Sequence, residues 1–112
     1  MLGERADPVL SVEVVFAPEA RDDLLNLYEY IADVSGEALA IGYIDRIEVY
    51  CRGFSQFPER GVRRDDLFPG LRLVGFERRM TIAFHIEEVR ARVVIDRVLY
   101  GGRDLGSLRD ED

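Results

Sequence analysis

Between residues 58 and 72 the chain reads PERGVRRDDLFPGLR, a stretch that no helix can cross. Pro58 fixes its own φ and has no N–H to donate, which stops a helix arriving from the N-terminal side. Gly61 and Gly70 offer backbone conformations that a Cβ penalises, and Pro69-Gly70 is a strong turn signal. The linker therefore divides the chain. Before it, after one short strand, apolar residues recur at intervals of three and four; beyond it they alternate.

In the front half, residues 9–16 read as a strand with Val12, Val14 and Phe16 on one face. Pro18 opens a helix over residues 18–34, with Glu19, Asp22 and Asp23 near its positive end and Ala17 as a poor cap. Ala20, Leu24, Leu27, Tyr28 and Ile31 form its inner stripe, and Asp22, Asp23, Asn26, Glu29 and Asp33 its outer face. Ser35-Gly36 breaks it, and a second helix over 37–54 follows with Ala40, Ile44, Ile47, Cys51 and Phe54 inward. So short a break makes the two helices an antiparallel hairpin. Cys51, on the stripe, reads as a packed core thiol.

Beyond the linker, strands over 71–76, 80–87 and 92–100 form a meander, with turns at residues 77–79 and 88–90. In the last strand Val93, Ile95, Arg97 and Leu99 alternate with Val94, Asp96, Val98 and Tyr100, and both faces are largely apolar at its centre, the mark of an interior strand. The expected architecture is α+β, in the order β-α-α-β-β-β, with the helical hairpin packed on one face of an antiparallel sheet. The other face stays partly open, where Val94, Val98 and Tyr100 offer a partner surface. Residues 1–112 make a single domain, with 1–8 and 106–112 as loose tails.

The 15 basic residues are all arginine, against 22 acids, for a net charge of −7, which speaks against non-specific nucleic-acid binding. Arginine suits carboxylate and phosphate but cannot act as a tunable base. Residues 1–57 carry eleven acids and four arginines, and residues 58–112 eleven of each. The helical half is thus acidic and the sheet half neutral, a polarity that can steer a partner. A single cysteine, with no signal peptide or long apolar run, points to a soluble cytoplasmic chain without membrane association. One histidine and one cysteine on different elements make no metal site, and neither a phosphate-binding glycine loop nor a nucleophile elbow occurs, so no cofactor is expected. His85 falls in the outward register of the central strand within reach of Asp96, and reads as a half-buried polar side chain on a partner surface. Arg72 and Arg97, inside strands, need carboxylates or carbonyls, with Asp66, Asp96 or Asp104 as the expected partners.

Four local patterns occur in a fixed order: FAPEA at residues 16–20, the pair Asp23-Leu24, the P-x-x-G and P-G-x-R signatures of the linker, and RVLYGGRD at 97–104. In that order and spacing the chain, from about residue 12 to 104, resembles the ParE/RelE superfamily of toxins from bacterial type II toxin–antitoxin pairs. The resemblance implies a toxin neutralised by a cognate antitoxin from the same operon, a ParD-like ribbon-helix-helix protein through which alone operator DNA is contacted. RelE-like members are ribosome-dependent mRNA endoribonucleases that use clustered lysine and arginine with a tyrosine or histidine; ParE-like members poison DNA gyrase. Here lysine is absent, Thr81 and Gly102 stand where the nuclease branch tends to carry arginine, and Tyr100 replaces a common histidine. A neutral tyrosine is a poor base near pH 7. The ParE-like branch is favoured, with no catalytic residue and with Arg72, Arg97, Tyr100 and Arg103 as the surface for gyrase. The acids Asp22, Asp23, Glu29 and Asp33, with His85, Val94 and Val98, would meet the antitoxin. The alternative is an mRNA interferase with Tyr100 or His85 as acid–base; a third reading is a chain that has lost toxicity and only binds its antitoxin.

Overall fold

In the computed structural model, which describes residues 12–101, the alternation beyond the linker builds the three long strands of one sheet. These are β3 (Arg72–Phe76), β4 (Met80–Glu87) and β5 (Arg92–Tyr100), each antiparallel to the next. The expected tails, residues 9–11, and Gly102, Arg103 and Asp104 lie outside the described residues.

β1 (Glu13–Phe16) adds to the other side of β5, but parallel to it. The sheet is therefore mixed, which corrects the expectation of a wholly antiparallel one. Parallel neighbours need a long crossover, and the helices and linker between β1 and β5 supply it. β2 (Val62–Arg63), a two-residue strand inside the linker, pairs with β3 and completes the order β1-β5-β4-β3-β2. It lies so close to β3 that a Cβ at Gly61, which has φ 79°, would sit 2.5 Å from the Leu73 carbonyl oxygen.

α1 (Pro18–Ser35) and α2 (Glu37–Arg52) form the hairpin, joined at Gly36, whose φ of 99° a side chain would resist. Ala17 makes no side-chain cap. α2 tightens into a 3-10 turn, Gly53–Ser55, before Pro58. Ala20, Leu24 and Leu27 of α1 meet Ile47, Cys51 and Phe54 over Met80, Ile82, Phe84, Val93, Ile95 and Val98 of the sheet. Ile31 and Ile44 pack at the margin of this core, half-buried. Burial pushes the Cys51 thiol up to about 12, so it packs as an inert apolar group.

The linker covers part of the opposite face. Leu67 and Leu71 fold onto Ala83 and Leu73 as a second small cluster. Asp65 holds the turn by accepting the Gly70 N–H at 2.8 Å, which keeps its carboxyl below the usual range. No helix among the described residues is long and apolar enough to cross a membrane.

Candidate functional site

The site grows from an irregularity in β5. Phe84 pairs with Ile95 and Ala83 with Arg97, so Asp96 is an extra residue, a bulge in the ladder. Upstream of it Val93 and Ile95 face the helices; downstream Val98 and Tyr100 do. The bulge shifts the alternation by one residue. Val98, expected on the open face beside Val94, is instead in the core at 4% exposure, and Tyr100 packs at the margin of the same core. Val94 keeps its expected place, opposite His85 and away from the helices.

Two carboxylates hold the bulge. Asp23 of α1 receives Arg97 Nε and Nη2 at 2.8 and 2.9 Å, and its Oδ2 also accepts the Val98 N–H at 2.8 Å. Asp23 was expected on the solvated face of α1; its side chain is only 14% exposed and acts as a clamp between helix and sheet. A bidentate arginine–carboxylate pair is both directional and strong. On the other face of the sheet, Asp96 Oδ2 lies 2.7 Å from His85 Nδ1. Burial raises the Asp96 carboxyl above its usual range, and the His85 contact opposes that shift.

The remaining arginines do not converge on this point. Arg72, in register with Phe84 and separated from β5 by β4, donates to the Arg60 carbonyl at 3.3 Å rather than to Asp66, which is paired with Arg64. Glu77 at the β3–β4 turn is held by Arg46 of α2 through two 3.0 Å bonds that lower its pKa, and Arg78 and Arg79 beside it are exposed. Arg92 pairs with Glu87 at the far end of β4. Asp22, Glu29 and Asp33 are exposed along α1, as expected. Arg103 lies outside the described residues.

Between α1 and the second half of β5 runs a groove of about 510 Å³ lined by Asp23, Asn26, Leu27, Tyr30, Val98 and Tyr100. Tyr30 is 57% exposed, and its ring centroid lies 6.2 Å from that of Tyr100. Tyr30 and Asn26 escaped the sequence reading as site residues. Their positions three and seven after Asp23 place all three on one helix face, a signal that becomes meaningful only once Asp23 is known to touch β5.

Fold and sequence together define the class: the toxin half of a type II toxin–antitoxin system. Residues 14–105 match the family described as the ParE toxin of the type II toxin-antitoxin system parDE, and the chain belongs to that family. No curated protein matches the chain. Among solved structures, it is similar to one from a chromosomal ParDE system of P. aeruginosa, at 20% identity and a TM-score of 0.70, over 80% of this chain and 96% of that one. It is similar also to one from the RelBE2 toxin–antitoxin complex of Mycobacterium tuberculosis, at 22% identity and a TM-score of 0.59, over 85% and 97%.

Proposed function

We propose that this toxin acts in the cytoplasm on DNA gyrase, by binding rather than by chemistry of its own, and that a ParD-like ribbon-helix-helix antitoxin neutralises it. Membership of the ParE family supports the target. The observation that carries the choice against mRNA cleavage is the separation of the acid–base candidates. Tyr100 is paired with Met80 on the helix side of the sheet, whereas His85 and Asp96 lie on the opposite face. General acid–base cleavage needs two proton-transfer groups around one phosphodiester, and these cannot reach one together. Arg97, which would have to stabilise phosphate charge, is committed to Asp23.

The gyrase contact then falls at the exposed end of β5, on Tyr100 and the Arg103 that follows. Arg97 and Arg72 act there through the backbone they hold in place. Aromatic and arginine residues dominate interface hot spots. Purified toxin should inhibit gyrase supercoiling or trap cleaved plasmid DNA with gyrase, and leave ribosome-bound messages intact. Tyr100→Ala should weaken gyrase inhibition about tenfold or more, the loss of one hot-spot aromatic. Codon-positioned cuts in translated mRNA with no effect on gyrase would reverse the assignment.

A further inference from the structure

β5 is an interior strand for half its length only. β1 pairs with it from Arg92 to Ile95, and Ala17 N–H closes that seam on the Ile95 carbonyl at 2.9 Å. The chain then leaves the sheet into α1. Past the bulge, Val98 N–H points to the same side and is taken by Asp23, while Gly101 N–H points back to Arg79 O on the β4 side. Backbone groups alternate direction along a strand. Val98 C=O and both main-chain groups of Tyr100 therefore face outward, where among the described residues no strand pairs with them. Unpaired strand edges are templates for another strand.

The groove beside this edge says what kind of segment fits. Its floor is backbone, which a partner's extended backbone satisfies. Its wall is apolar and aromatic, from Leu27 and the Tyr30–Tyr100 pair. Its rim continues along α1 from Asn26 and Tyr30 to the exposed Asp33, on the acidic half of a chain of net charge −7.

We propose that the free edge of β5 from Val98 to Tyr100, with the Asn26–Tyr30 flank of α1, receives an extended segment of the antitoxin as an added strand. That segment carries an apolar side chain against Leu27 and Tyr30 and a basic one toward Asp33. The inference rests on the reading of this chain as an antitoxin-neutralised toxin and adds where and how it is held. Strand addition takes affinity from main-chain hydrogen bonds and specificity from the pockets beside them. It would also cover Tyr100, so the antitoxin and gyrase would compete for one end of one strand.

The test is amide hydrogen exchange at Tyr100, in the full-length chain alone and in the complex co-purified with the product of the short reading frame adjoining its gene. Exchange should be fast in the chain alone and slow about tenfold or more in the complex, since a paired amide exchanges only on opening. Tyr30→Ala should weaken the complex about tenfold, as loss of a contact aromatic does, while Val89→Ala, exposed at the far hairpin turn, should not. A complex that forms without slowing Tyr100 exchange overturns strand addition and leaves the antitoxin reading intact. Protection already present in the chain alone overturns it too, by assigning the edge to a second copy or to the chain's own continuation past Gly101. No complex at all defeats the antitoxin reading, and the inference with it.

Discussion

The two halves of β5 live in different surroundings although they belong to one strand. From Arg92 to Ile95 a neighbour lies on each side, and Val93 and Ile95 are fully buried. From Asp96 onward only β4 pairs with it, and the place of the missing neighbour is taken by a carboxylate, Asp23, on one N–H. The first half is held by burial and ladder hydrogen bonds. The second depends on a charged clamp and leaves backbone for a partner. A toxin that must be both stable and recognisable keeps these demands apart by ending β1 four residues early.

The sharpest break of that contrast is Ile95→Ala, which should cost about 2–5 kcal/mol, the range for emptying a well-packed core site. Urea unfolding would measure it, and a loss below about 0.5 kcal/mol, typical of surface sites, would mean the enclosed half is not the core. Next comes the clamp. Asp23→Ala leaves Val98 N–H and the Arg97 guanidinium short of an acceptor, and should cost about 1–3 kcal/mol. In a double-mutant cycle with Arg97→Ala the coupling should be about 0.5–3 kcal/mol; additivity would show the pair to be incidental.

The third effect is smaller and depends on pH. Folding raises the Asp96 carboxyl above its ordinary range through burial. Its stabilising contribution is therefore present at low pH and lost as pH rises through the folded pKa. Asp96→Asn should match or exceed the parent in unfolding midpoint near pH 7, and that gain should vanish toward about pH 4, the ordinary aspartate value. A parent more stable than Asp96→Asn near pH 7 would mean that the His85 contact outweighs burial. Least disruptive to the fold is reversal of Asp22 and Asp33 to arginine. Both are exposed, so the unfolding midpoint should hold while association with the antitoxin slows at low salt.

Much of this was legible beforehand. β4 and β5 begin and end where the alternation places them, and α1 and α2 start at Pro18 and Glu37 as the proline and the Ser35-Gly36 break imply. The bulge was not. Nothing in VVIDRVLY marks Asp96 as the extra residue, and strict alternation sends Val98 to the wrong face. The Asp23 clamp was hidden for a related reason: the helical pattern of α1 says which residues face outward, not whether another element waits there. His85 and Asp96 were paired correctly because adjacent antiparallel strands make cross-strand reach predictable.

The sequence by itself determined the elements, their order, the core stripe and the kinship with the ParE toxins, because periodicity, turn chemistry and motif spacing are local properties that survive without coordinates. Tertiary structure decided the parallel seating of β1, the switch of face at Asp96, the burial of Asp23 and the free edge at Tyr100. Each depends on which strand lies beside which and where that strand stops. Those are contacts between residues about 75 apart in the chain, as between Asp23 and Val98, and no local pattern encodes them.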